Sequence, residues 1–90
     1  MARAAQRDVT EAIEKLSAGQ TVTYKIAETF GGEHAVVQFN PESGSTKYIM
    51  TLEKIEGGKP TGKKQLFMKH DSPRFIANWI YVRWGELVTS

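Results

Sequence analysis

Ninety residues, 40% of them apolar and 24% charged, fit one folded domain rather than a disordered chain. With no cysteine the chain forms no disulfide and no thiolate metal site, which suits a reducing compartment. No stretch approaches the roughly 18 apolar residues of a membrane span, and Met1 to Arg7 lacks the apolar run of a signal peptide, so the expectation is a cytoplasmic protein with no membrane role.

The net charge of +2 is small, but the basic character is local. Residues 59–74 carry Lys59, Lys63, Lys64, Lys69 and Arg74 against Asp71 alone. A local patch steers anionic partners better than a diffuse surplus does.

Val9, Ala12, Ile13 and Leu16 fall on one helical face, which predicts a helix from about Val9 to Ala18 that frays back towards Ala4. Asp8, three residues before Glu11, is the expected cap, and Gly19 the expected stop. Thr21 to Ala27 alternates, with Val22, Tyr24 and Ile26 inward, and predicts the first strand. After a turn at Phe30–Glu33, His34 to Phe39 is the second strand, with Ala35, Val37 and Phe39 inward. Asn40 to Ser45 has turn chemistry. Lys47 to Ile55 is the third strand, with Tyr48, Met50 and Leu52 inward.

Glu56 to Gly62 reads as a flexible hairpin loop and Lys63 to Lys69 as the fourth strand. There Leu66 and Met68 are expected inward, and Lys63, Gln65, Phe67 and Lys69 outward. Ser72 is the expected N-cap of the last helix, with Pro73 at its first position, where a missing N–H costs nothing. That helix runs to about Trp84, before Gly85. Short loops between consecutive strands imply an antiparallel meander. The fold class is therefore α+β: an N-terminal helix, a four-stranded sheet and a C-terminal helix in two layers.

The last helix is apolar around most of its circumference: Phe75, Ile76, Trp79, Ile80 and Val82 form one arc, widened by Ala77, Tyr81 and Trp84. It needs a second cover, either the first helix or a second copy of the chain. In a homodimer the interface would comprise Phe75, Trp79, Val82, Arg83 and Trp84, with Arg83 facing Glu86 or an acidic group of the second copy.

No catalytic constellation is visible, and no cofactor or small-molecule substrate is implied. His34 and His70 stand apart from any carboxylate cluster at metal-ligand spacing. His70-Asp71-Ser72 has the residue types of a hydrolytic triad, but three consecutive residues at a helix start cannot converge on one another, so capping is the expected role. Gly31-Gly32 and Gly57-Gly58 lack the strand-to-helix setting of a phosphate loop and read as turns.

The expected outward sheet face carries Lys25, Lys47, Lys63 and Lys69, with Phe67, Ile49, Gln65, Thr51 and Thr23 among them. Cations beside an exposed ring are what single-stranded DNA or RNA needs: lysines neutralise phosphates and bases stack on the ring. Lys47, Lys63 and Lys69 would take phosphates, Phe67 would stack, and Lys59, Lys64 and Arg74 would widen the field. The competing reading is a solvated face whose lysines protect a sheet edge from aggregation.

The stretch Lys59 to Ile80 joins a Gly/Lys/Pro loop, the strand Gly62-Lys63-Lys64-Gln65-Leu66-Phe67-Met68, and a proline-started helix with a tryptophan. It resembles the C-terminal domain of the positive cofactor four family, single-stranded-DNA-binding transcriptional coactivators related to the plant Whirly proteins. The resemblance implies a four-stranded antiparallel sheet followed by one helix, dimerisation through the helices, and DNA held on the sheets. It implies phosphate contacts for Lys63 and Lys64, and a packing and dimerising helix containing Phe75, Trp79 and Ile80. The chain departs from that family in its N-terminal helix and in two additional residues between strand and helix. The expected function is a non-catalytic nucleic-acid-binding module; the alternative is an assembly subunit working through its aromatic helix.

Overall fold

The computed structural model describes residues 3–88, apart from the side chain of Ser43. In chain order it contains α1 (Gln6–Glu14), β1 (Thr21–Lys25), β2 (His34–Phe39), β3 (Tyr48–Glu56), β4 (Lys59–His70), α2 (Pro73–Val82) and β5 (Glu86–Leu87). Short 3-10 turns at Glu28–Phe30 and Pro41–Ser43 join the first three strands. The strands form one antiparallel sheet in the order β4-β3-β2-β1-β5. The architecture is α+β as expected, with one strand more than the sequence suggested.

The register aligns the inward residues in rows. Val22, Val37, Met50 and Met68 form one, and Tyr24, Ala35 and Leu52 the next. Against them lie Val9 and Ile13 of α1 and Ile76, Ala77 and Ile80 of α2, all fully buried. Burying each such aliphatic side chain contributes roughly 1.5–3 kcal/mol. Both helices therefore occupy one side of the sheet and pack on each other. The second cover for the inner arc of α2 is α1.

Helix α1 starts earlier than its capping signals suggest. Its N-cap is Ala5, with no side-chain cap, and Asp8 lies in the first turn, where a carboxylate suits the helix dipole. The early start is anchored from outside: the Ala4 N–H donates to the Gly85 carbonyl at 3.0 Å, and the Arg3 guanidinium lies 3.6 Å from the Tyr81 ring centroid. The helix also ends early, at Glu14. Ser17 and Gln20 form their own turn, with Gln20 N–H to Ser17 O at 2.9 Å and Ser17 N–H to Gln20 Oε1 at 2.9 Å. Gly19 serves the entry into β1 rather than stopping the helix, its N–H donating to the Phe39 carbonyl at 2.8 Å.

The β3–β4 connection is tighter than the predicted loop. Gly57 and Gly58, at φ 58° and 78°, make a two-residue turn that few other residues could form, and β4 begins at Lys59 opposite Glu56. Helix α2 begins as expected, the Ser72 Oγ accepting the Phe75 N–H at 3.3 Å with Pro73 in the first turn. It stops at Val82, two residues short of the predicted end. Trp84 takes a left-handed conformation (φ 57°), and the Gly85 N–H closes back onto the Ile80 carbonyl at 3.0 Å. Gly85 is pressed against Ile80, leaving no room for a Cβ. The chain can then reverse into β5, which pairs with the free edge of β1. No helix among the described residues is long and apolar enough to cross a membrane.

Candidate functional site

The side of the sheet opposite the helices is bare. Its rows run Lys25, His34, Glu53, Lys64; then Thr23, Val36, Thr51, Leu66; then Thr21, Gln38, Ile49, Lys69. Lys47, just before β3, is exposed. Lys25 is engaged by Glu28, Nζ to Oε1 3.1 Å.

The predicted alternation of β4 does not hold along its length. Met50 faces Met68, but Thr51 faces Leu66, so Phe67 is an extra residue in a bulge. Its ring sits on the helix side against Trp79, with centroids 4.9 Å apart and planes inclined at 53°. The physical reason is the run Leu66-Phe67-Met68. Strict alternation would leave the largest of three consecutive apolar residues in water, whereas an edge strand can bulge and give Phe67 an aromatic partner. Leu66, expected inward, is consequently on the bare face and 55% exposed, while Gln65, expected outward, stands opposite Leu52 on the helix side. Lys63 falls in a second irregularity and has no direct partner in β3. Lys69 lies on the bare face as expected, and Lys64 joins it. The bare face thus has lysines but no Phe, Tyr or Trp ring among its paired residues.

What β4 does assemble is a basic and aromatic edge. Lys59, Lys63, Lys64 and Lys69 follow one another along this outermost strand, and Arg74 stands in the first turn of α2 just beyond it. All five are exposed, and among the described residues none forms an ion pair. Tyr48 pairs with His70, so Lys47 lies one residue past that pair, at the same end. Phe67 keeps 44% of its surface exposed and Phe75 keeps 52%.

Phe75 is stacked on His70, centroids 4.2 Å apart and planes 3° from parallel. His70 Nδ1 accepts the Ser72 N–H at 2.9 Å, and Ser72 Oγ is engaged as the helix cap. These bonds hold the strand-to-helix corner and give His70 and Ser72 structural roles. The His70–Phe75 stack was not foreseen. Its only sequence signal is a histidine closing a strand five residues before an aromatic in the first turn of a helix.

The residues expected at a dimer interface are not one continuous surface. Phe75 and Val82 are seven residues apart, on the same side of α2, and about half exposed, with Trp79 between them. Arg83 covers the other part of Trp79, its guanidinium 4.0 Å from the ring centroid and its Nη1 donating to the Trp79 carbonyl at 3.1 Å. It forms no ion pair with Glu86. Trp84 belongs elsewhere, beneath Arg3 and beside Phe30 in a shallow hollow of about 380 Å³. A larger groove, about 470 Å³, lies between α1 and the start of α2, lined by both acidic and basic side chains including Arg7, Glu11, Glu14 and Arg74. Among the described residues no three His, Asp or Glu side chains group to hold a metal.

The chain matches no family model, no curated protein and no solved structure.

Proposed function

We propose that this protein is a non-catalytic module that holds single-stranded nucleic acid along the β4 edge. The observation carrying this reading is the line of unpaired cations, Lys59, Lys63, Lys64, Lys69 and Arg74, beside the half-exposed rings of Phe67 and Phe75. A strand laid along this edge would neutralise phosphates on the lysines. One base would stack on the outer face of Phe75, extending the ring pair behind it, and a second would lie on Phe67. Such stacking is tolerant of sequence, because every base has a π-face. Lys47 would add charge at the far end. The resemblance to the positive cofactor four family, carried by Gly62 to Met68 and the helix after it, implies the same class of ligand, and a cysteine-free chain suits a cytoplasmic setting.

The test is fluorescence anisotropy of a labelled single-stranded oligonucleotide across a salt series. Affinity should fall as salt rises, by a slope of about 0.7 per phosphate contact. Lys69→Ala with Arg74→Ala should weaken binding and flatten that slope. Phe75→Ala should weaken it by about 1–3 kcal/mol with the slope unchanged. Absence of binding at low salt would refute the proposal.

A second reading is favoured by the Phe75, Trp79, Val82 stripe: assembly of two copies through the outer side of α2. Light scattering should then give a dimer mass that Val82→Glu converts to a monomer. A monomer mass for the unaltered chain would dismiss it.

A further inference from the structure

The pairing of β2 with β3 ends at His34 and Glu53. Beyond Glu53, Ile55 and Glu56 pair only with β4, and Gly57-Gly58 turn the chain back. Residues 54–63 are thus a two-stranded ribbon standing outside the sheet, reaching past it by roughly 10 Å at about 3.3 Å per residue. None of its residues is buried. Ile55 and Pro60 face each other across it, an apolar pair in which Ile55 is partly buried and Pro60 is exposed. The tip has no side chains, and there is open space around Gly57, Gly58 and Gly62.

The acidic groups of the ribbon are turned to its own construction. Glu56 Oε1 pairs with Lys54 Nζ at 3.6 Å, and Glu53 Oε2 accepts the Gly62 N–H at 3.2 Å. Thr61 Oγ1 donates to the Lys54 carbonyl at 2.7 Å and stiffens the second strand. Lys59 and Lys63 are left unpaired. A narrow ribbon with cations on its flanks and an apolar pair near a bare tip is complementary in charge and shape to a groove of duplex DNA. The B-form major groove admits a two-stranded ribbon, and isoleucine and proline are among the side chains that press between base steps from the minor groove.

We propose that the Lys54–Lys63 ribbon enters a groove of B-form duplex DNA, with its lysines on the flanking phosphates and Ile55 and Pro60 against the base edges. Taken with the single-strand reading of the adjoining edge, on which this part rests, the preferred ligand is a duplex carrying a single-stranded tail, with Lys59 and Lys63 serving the duplex and Lys64, Lys69 and Arg74 the tail. Two linked sites strengthen binding without any new contact within either.

The experiment uses the full chain and labelled DNA at one salt concentration. A tailed duplex should bind about tenfold tighter than the same tail alone. Ile55→Ser with Pro60→Ser should abolish that advantage and leave tail binding within about twofold, because neither side chain is one of the cations or rings assigned to the tail. Ile55→Asp should abolish it too, and circular dichroism melting should find both variants folded, since the ribbon lies outside the core. A tailed duplex no tighter than its tail, or an advantage that survives both variants, overturns the ribbon proposal and leaves the single-strand reading standing. If the tail alone does not bind, the edge reading fails instead, and a blunt duplex decides: binding lost on Ile55→Ser with Pro60→Ser supports the ribbon, and no duplex binding ends it.

Discussion

The Phe67 ring rests on the Trp79 indole, bridging the edge strand to the last helix at 4.9 Å. That contact converts a residue expected on one side of the sheet into a brace on the other. Phe67→Ala should therefore destabilise the fold by about 1–2 kcal/mol, combining an aromatic pair worth about 0.5–1.5 kcal/mol with some lost burial. Urea denaturation followed by tryptophan fluorescence checks this, and an unchanged midpoint would mean that the contact carries no stability.

Ser72 caps α2 directly beneath the His70–Phe75 stack. Ser72→Ala should cost about 1 kcal/mol, and Ser72→Asp should restore most of it, because a carboxylate also accepts the free N–H. If the two variants melt together well below the unaltered protein, the hydroxyl has some role other than capping.

Gly85 has no room for a Cβ under Ile80. Gly85→Ala should force the helix end and β5 apart and cost roughly 1–3 kcal/mol, as overpacking does. The local sign should be faster amide exchange at Val88, whose N–H donates to the Thr23 carbonyl. Exchange at the unaltered rate would show that β5 accommodates the methyl.

Tyr24 is buried, and burial pushes its phenol above the ordinary value near 10, with Asp8 adding to the effect. The folded chain thus holds this proton to higher pH than the unfolded chain does. The resulting stability is complete below pH of about 10 and is lost as pH rises through the folded value. Denaturation at a series of alkaline pH values should show this fall. Tyr24→Phe should make the fall shallower, and an equally steep fall in the variant would assign it to other groups.

The periodicity of the sequence contained most of the fold. The second strand, the N-cap of α2 and the inward residues of β1 to β3 follow from alternation and turn chemistry alone. Departures came where a contact between distant residues outweighed a local rule. Asp8 lost the cap because Arg3 is tied to the end of α2 and Ala4 to Gly85 just past it. The strand β5 escaped notice because two residues show no period. The decisive case is β4, where three consecutive apolar residues are compatible with two parities and only the position of Trp79 selects between them. The basic half of the candidate site was legible as a charge run. Of its aromatic half, Phe67 was named but placed on the other side of the sheet, and Phe75 was not, because the His70–Phe75 stack depends on how a strand meets a helix.

The strand β5 covers the β1 flank at Tyr24 and Lys25, so among the described residues the sheet's one long open margin is the lysine-bearing β4 flank. A body with one such margin can join a like margin once, and the union leaves nothing further to add to. Strand exchange by that route closes at two copies, whereas a sheet open on both flanks could lengthen into a filament.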